Sequence, residues 1–181
     1  MKKKPAGFTL IELLLVVSLL AISVGITGDI IISIMRSYNK TQVTNELEQN
    51  ANFVSQKLEK ELRNAVGAIS ATATSIQFNN SQNNTVCYRV TTSGAVTALQ
   101  RSFSVAASCT NYTTITNNDT VNGVQVTCTK NGALAPCFSV VSGPEPYVVD
   151  INLTFSQAGS QSASFTGSVS INNTIVVRGS Y

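Results

Sequence analysis

The sequence predicts an α+β protein in which one long N-terminal α-helix packs against a C-terminal antiparallel β-sheet. An apolar run from Phe8 to Met35 is long enough to cross a membrane as a helix. Between Ser37 and Val66, apolar residues recur at intervals of three and four, which is typical of an amphipathic helix. Beyond Gly67, short β-branched runs alternate with Asn, Gly and Ser breaks, a pattern typical of strands and turns.

The apolar run has a basic flank and contains an acidic residue. Lys2, Lys3 and Lys4 precede the run and predict that its N-terminal end stays in the cytoplasm. The run is longer than the apolar core of a secretory signal peptide, so it is expected to remain on the protein. Because a carboxylate within a bilayer is costly, Glu12 is predicted to have a function and a positively charged partner.

The residues around Glu12 form a recognisable motif. Gly7-Phe8-Thr9-Leu10-Ile11-Glu12 resembles the cleavage and methylation motif of type IV prepilins and prepseudopilins. The resemblance implies that residues 1–7 are a leader, removed after Gly7 by a prepilin peptidase. Phe8 would then become the N-methylated first residue. Glu12 would attract the N-terminal amine of a neighbouring subunit during assembly on an inner-membrane platform.

The helix is expected to have two parts. Residues 8–36 form the transmembrane or filament-core part, and residues 37–66 form an amphipathic continuation that stops at Gly67. Two i,i+4 ion pairs are expected on its solvated side, Lys57 with Glu61 and Glu59 with Arg63. The apolar stripe of the continuation comprises Leu47, Ala51, Val54, Leu58, Leu62, Ala65 and Ile69.

Two departures and one further resemblance bear on the kind of subunit. Many major pilins carry a proline within the span, whereas this chain has Asp29 there and no proline between Pro5 and Pro136. The missing proline favours a minor subunit. Asp29 is expected near the outer headgroups, with a basic group of another subunit as the alternative partner. Short segments at residues 58–63, 86–90 and 99–101 also resemble J-type minor pseudopilins and W-type minor pilins.

Residues 67–181 are expected to form one β-sheet domain. Ser93-Gly94 predicts a tight hairpin turn. Val149, Ile151, Leu153 and Phe155 alternate with polar residues, and their face is expected to pack on the helix stripe. The predicted strands are Ser75–Phe78, Thr85–Thr91, Ala95–Phe103, Val124–Thr129, Ser139–Val141, Tyr147–Ser156, Ser162–Ser170 and Thr174–Arg178.

Four cysteines, Cys87, Cys109, Cys128 and Cys137, lie in the part predicted to be exported. An even number in an oxidising compartment favours disulfides, with free thiols as the alternative. Of the three connectivities, Cys87–Cys109 and Cys128–Cys137 are favoured because each closes a local loop. Without histidine or a Cys-x-x-Cys motif, no metal or cofactor is predicted.

Charge and composition give little support to catalysis or nucleic-acid binding. The chain has no histidine, and Asp119, Glu145 and Asp150 are the only acids beyond residue 64, so no catalytic residue is predicted. Residues 117–123 are interpreted as a solvated turn in preference to a calcium site. The net charge of +3 comes from the three leader lysines. DNA binding would therefore depend on the scattered residues Arg89, Arg101 and Lys130.

These observations predict a non-enzymatic structural subunit, minor rather than major, of a type IV pilus or related filament. The subunit would cross the inner membrane once, with its C-terminal domain outside the cytoplasm, before it enters the filament. Three alternatives stay open: a minor pseudopilin of type II secretion, a tip adhesin or DNA-uptake pilin, and a membrane-anchored enzyme.

Overall fold

The structure, a computed structural model, describes residues 7–141, 146–159 and 166–177. The chain divides into two compact units, residues 1–39 and residues 40–181. One helix, α1 (Leu10–Arg63), contains nearly all of the described residues of the first unit. The same helix is also the first element of the second unit. An α+β architecture with a long N-terminal helix and an antiparallel β-sheet domain is thus confirmed.

Helix α1 ends three residues earlier than predicted. Its last residue is Arg63, and strand β1 (Ala65–Ala71) begins almost at once. The prediction that Ala65 and Ile69 lie on the helix is therefore wrong, although both side chains are buried. Gly67 does not follow the helix as a stop; it lies within β1 at a positive φ of 73°, where the β1 register shifts. The residues after Arg63 therefore pair with β2 instead of continuing the helix.

Eleven strands are described in the second unit, in three antiparallel sheets. A five-stranded sheet has the order β1-β2-β3-β4-β5, and a four-stranded sheet has the order β11-β10-β6 with β9 also paired to β10. Strands β7 and β8 form a separate two-stranded sheet. Besides β1, the strands are β2 (Ser75–Asn80), β3 (Thr85–Ser93), β4 (Val96–Ser104), β5 (Tyr112–Thr114), β6 (Val124–Thr127), β7 (Thr129–Lys130), β8 (Ala133–Leu134), β9 (Phe138–Val141), β10 (Tyr147–Gln157) and β11 (Ser168–Val177).

Six of the predicted strands correspond to β2, β3, β4, β6, β9 and β10. Strands β1, β5 and β8 were not predicted, Val124–Thr129 was expected as one strand where β6 and β7 are separate, and the pattern near the C-terminus also differs. Two strands were expected, Ser162–Ser170 and Thr174–Arg178, but one continuous strand runs from Ser168 to Val177. Asn172 and Asn173 look like a turn in the sequence, yet ten consecutive pairs with β10 hold them in the ladder. Residues 162–165 and Arg178 lie outside the described residues. Gly94, at φ 71°, lies in the predicted β3–β4 turn.

The hydrophobic core lies between the second half of α1 and the two larger sheets. The predicted face of β10, with Val149, Ile151, Leu153 and Phe155, is buried. It belongs to the same cluster as the predicted helix stripe, whose helical members are Leu47, Ala51, Val54, Leu58 and Leu62. Apolar side chains at intervals of three and four on α1 and at intervals of two on β10 thus meet in one core.

The two disulfides each close a loop of the sheet domain, and Cys137 of the second belongs to the hydrophobic core. Cys87 pairs with Cys109 and Cys128 with Cys137, with Cα–Cα distances of 6.2 and 4.7 Å. Cys87 is adjacent to the core residue Tyr88, so its side chain points to the opposite face of β3. On the other sheet, the 128–137 loop covers Asn152, whose Nδ2 donates to the Pro136 carbonyl at 3.1 Å.

Candidate functional site

The predicted cleavage site lies in non-helical chain immediately before α1. Gly7 and Phe8 precede the helix, and Phe8 is 78% exposed. The first helical hydrogen bond runs from the Leu13 N–H to the Thr9 carbonyl at 3.2 Å, which makes Thr9 the N-cap residue. The Gly7–Phe8 peptide bond therefore lies outside the helix, in a conformation that a peptidase can reach without unwinding it.

Glu12 lies in the first turn of α1, three residues after the cap. The Thr9 hydroxyl donates to Glu12 Oε2 at 3.5 Å, a bond between the two side chains. The Thr9-x-x-Glu12 spacing is that found in capping boxes. The carboxylate also opposes the partial positive charge of the helix N-terminus. Among residues 7–141, 146–159 and 166–177, no cation forms an ion pair with Glu12.

The surface that follows Glu12 is apolar on every side. From Leu10 to Met35 the large apolar side chains are exposed, and no residue of the most apolar 18-residue window is buried. By length and composition this segment can cross a membrane. Three of its hydroxyl groups bond within the helix, because Ser18, Ser23 and Thr27 donate to the carbonyls of Leu15, Leu20 and Ser23.

The family comparison matches this same segment. A family model described as the prokaryotic N-terminal methylation motif covers residues 2–28. The segment carries a prokaryotic N-terminal methylation motif. The match supports a protein of the type IV prepilin and pseudopilin family, and it lies wholly within the N-terminal part of the chain. Neither a curated protein nor a solved structure matches the chain.

The prepilin motif implies processing by a prepilin peptidase and assembly into filaments. Cleavage after Gly7 and methylation of Phe8 stay predictions, as does the role of Glu12 in docking. Most of the leader, residues 1–6, lies outside the described residues. The other predicted acid of the span, Asp29, lies in the exposed part of α1, and no ion pair to it is formed within the described parts of the chain.

A second polar cluster, which the sequence did not predict, joins α1 to the five-stranded sheet. Glu61 was expected to pair with Lys57, but its carboxylate faces the sheet instead. Tyr88 Oη donates to Glu61 Oε2 at 2.6 Å, and Arg101 binds both Glu61 oxygens at 3.0 and 3.1 Å.

Lys57 lies over the Phe53 ring, 5.5 Å from its centroid. The other expected pair, Glu59 with Arg63, is formed at 2.7 Å.

Burial sets the protonation state of this cluster. Desolvation, and after it the hydrogen bond to Glu61, raises the pKa of the Tyr88 phenol above its ordinary value. The phenol therefore stays a donor, while Glu61 and Arg101 form a charged pair about a quarter exposed. The arrangement fastens the helix to strands β3 and β4, whose residues Tyr88 and Arg101 are directly opposite one another.

The basic residues considered for DNA binding are mostly engaged within the fold. Arg101 is held by Glu61, and Arg89 lies 3.7 Å above the centre of the Tyr112 ring while its Nε donates to Gln100. Lys130 is exposed on β7. Both guanidinium groups thus have partners within the fold.

The acidic residues of the sheet domain are used in local structure. Asp119 accepts the N–H groups of Asn122 and Val121 at 2.9 and 2.8 Å, and these two bonds lower its pKa. The 117–123 segment is thus a turn held by its own backbone. Asp150 accepts a hydrogen bond from Thr174 at 2.6 Å. Glu145 lies outside the described residues.

Proposed function

We propose that this chain is a structural subunit, and a minor one, of a type IV pilus or a related filament. In this proposal a prepilin peptidase cleaves after Gly7, Phe8 is methylated, and the subunit waits in the inner membrane with its sheet domain outside the cytoplasm. The observation that carries the proposal is the exposed apolar surface of α1, which begins directly after the Gly7–Phe8 bond and has Glu12 in its first turn.

Assembly would use the same surface twice. In the membrane, the apolar side chains of residues 10–35 face lipid, and in the filament they pack against the helices of other subunits. Cleavage creates a positive amine at Phe8, and Glu12 of the next subunit supplies its negative partner. Away from bulk water such a charge pair is far stronger than at a protein surface, which gives docking its register.

The absence of proline from residues 8–63 supports assignment as a minor subunit. The helix runs unbroken through Gly25 and Gly28, the two poorest helix formers in the span. A minor pseudopilin of type II secretion is the main alternative, since it would use the same helix and the same processing. Recovery with extracellular filaments, as opposed to the cell envelope alone, would separate a pilus subunit from that alternative.

An intact-mass measurement tests the proposal most directly. The protein is recovered from the envelope and from sheared filaments of cells with an active prepilin peptidase. A mass beginning at Phe8 with one added methyl group is the expected result. A mass that retains residues 1–7 would overturn the proposal and leave a plain membrane anchor. Cells lacking the peptidase serve as the control and should yield the uncleaved chain.

A further inference from the structure

Two Asn-Gly pairs occur in the chain, and the structure gives them different surroundings. Asn122-Gly123 lies directly before β6, and Asn131-Gly132 joins β7 to β8. In this dipeptide the backbone nitrogen of glycine can attack the asparagine side chain, because glycine has no Cβ to obstruct the approach. Asparagine is accordingly among the thermolabile residues of proteins. The local structure of each pair decides whether the attack takes place.

Asn131-Gly132 forms the two-residue turn of a short hairpin. Residues 129–130 pair with residues 133–134, so only the two central residues lie outside the ladder. Their φ angles of 53° and 81° are both positive, as a type I′ turn requires. The dipeptide that favours this turn is therefore also the one with the reactive sequence.

The turn leaves the reacting groups unhindered. Asn131 and Gly132 are both exposed, and a Cβ at Gly132 would meet nothing within 4 Å. Within the described residues, no hydrogen bond engages the Asn131 amide or the Gly132 N–H. Because β7 and β8 have two residues each, the hairpin can open locally at low cost. The Cys128–Cys137 disulfide keeps its ends in place meanwhile.

Asn122-Gly123 is held by the fold. Asn122 is exposed as well, so the difference between the two pairs lies in the glycines. Gly123 is buried, and a Cβ there would overlap the Asp119 backbone. The Asn122 N–H donates to Asp119 Oδ1 at 2.9 Å, and the Gly123 carbonyl accepts from the Ala158 N–H at 2.8 Å. These bonds must break before the Asn122 amide can approach the Gly123 nitrogen.

We propose that Asn131 is a site of spontaneous deamidation in the folded protein and that Asn122 is protected. The Gly132 nitrogen attacks the side-chain carbonyl carbon of Asn131 and closes a succinimide ring. The bond from that carbon to the amide nitrogen breaks, and the nitrogen leaves as ammonia with the proton of the Gly132 N–H. Water then opens the ring at either carbonyl and gives aspartate or isoaspartate. One water molecule is consumed and one ammonia is released.

Deamidation changes the chemistry of the loop surface. It adds a negative charge beside Lys130, in a domain with few charged residues. Asp-Gly also suits a type I′ turn, so the aspartate product keeps the hairpin. Isoaspartate adds a methylene group to the backbone and lengthens the turn. The loop of an old molecule therefore differs from that of a new one. This goes beyond the proposed function, because it depends on the sheet domain alone.

Isotope labelling of the full-length, detergent-solubilised protein tests the site. The protein is aged in heavy-oxygen water at mildly alkaline pH, then reduced and digested in ordinary water. Deamidation of the folded protein thus incorporates the heavy isotope, and tandem mass spectrometry locates it. We expect labelled product to accumulate at Asn131. At Asn122 the rate should be lower by about tenfold or more, the factor that 1.4 kcal/mol of additional barrier gives.

Unfolding provides the matched control. In guanidinium chloride both pairs lose their structure, so their rates should become comparable. In the folded protein, Asn131→Gln should abolish the main labelled product, because attack on the longer side chain must close a larger and less favourable ring. Asn122→Gln should leave that product unchanged. Far-UV circular dichroism checks that both variants fold.

Three outcomes would overturn the proposal. One is conversion of both asparagines at equal rates in the folded protein, which would mean that the structure does not select between them. Another is reaction only in guanidinium chloride, which would mean that the hairpin protects Asn131 as well. The third is product without the heavy isotope, which would place the change in the digestion. None of these outcomes bears on cleavage after Gly7, so the proposed function is tested separately.

Discussion

Tyr88 of β3 and Glu61 of α1 share a 2.6 Å hydrogen bond although 27 residues separate them in the chain. Arg101 of β4 binds the same carboxylate through two nitrogens. The three side chains connect the last turns of the helix to the middle of the five-stranded sheet. Glu61 was expected on the solvated side of α1 and instead contacts the sheet.

Removal of the Glu61 carboxylate should destabilise the sheet domain. Glu61→Ala leaves the Arg101 guanidinium and the Tyr88 hydroxyl without their partner, which we expect to lower the free energy of unfolding by about 2 kcal/mol. Glu48→Ala, on an exposed position of the same helix, should change it by less than about 0.5 kcal/mol. Chemical denaturation of the detergent-solubilised full chain measures both. Equal effects of the two variants would contradict the role of this cluster.

Stability should fall at alkaline pH because of Tyr88. Its folded-state pKa is raised above the ordinary 10.0, so the stability it contributes is present below pH 10.0 and is lost as the pH rises further. The slope of this loss is about 1.4 kcal/mol per pH unit for one proton. Tyr88→Phe should have a shallower slope than the wild type between pH 10 and 11. Identical slopes for the two chains would refute the prediction.

The two disulfides should contribute unequally. Cys87–Cys109 closes a loop of 22 residues and Cys128–Cys137 a loop of nine. Under the chain-entropy description, each contributes about 2–4 kcal/mol, and the longer loop exceeds the shorter by about 0.8 kcal/mol. Thermal unfolding of the two double Cys→Ala variants measures the difference. A larger loss from the Cys128 and Cys137 pair would show that the covering of Asn152 matters more than loop length.

The charge of Glu12 and its hydrogen bond with Thr9 can be tested separately. Glu12→Gln keeps an acceptor for the Thr9 hydroxyl but removes the charge, whereas Thr9→Ala removes that hydroxyl and keeps the charge. We expect Glu12→Gln to reduce incorporation into filaments about tenfold or more, the factor that 1.4 kcal/mol gives, and Thr9→Ala to incorporate normally. Both should insert and be cleaved. The reverse pattern, measured by quantitative blotting of sheared filaments, would assign Glu12 a purely local role.

Gly123 should tolerate no side chain. A Cβ at this position would overlap the backbone carbonyl of Asp119, and the turn is held by bonds from Val124 to Asn117 and from Ala158 to Gly123. Gly123→Ala should therefore lower the free energy of unfolding by about 1–3 kcal/mol. Gly25→Ala, where a Cβ meets nothing within 4 Å, should not destabilise. An unchanged midpoint for Gly123→Ala in thermal unfolding would contradict this account.

Local patterns in the sequence were sufficient for much of the fold. The run of apolar residues in α1 exceeds a membrane span, and the alternation in β10 determines which of its faces is buried. The hairpin at Gly94 was also predicted, because a two-residue turn is a local property. The prepilin motif is also local, and its match covers residues 2–28.

The sequence by itself therefore determined the fold class, the apolar anchor and the motif that surrounds Glu12. Only the tertiary structure decided that α1 stops at Arg63, that β11 is one strand, and that Glu61 faces Tyr88 and Arg101 instead of Lys57. Each of these depends on a partner distant in sequence: β2 for β1, β10 for β11 and the sheet for Glu61. A ladder or a half-buried ion pair outweighs local propensity once such a partner is in place, and a single sequence does not state which partners meet.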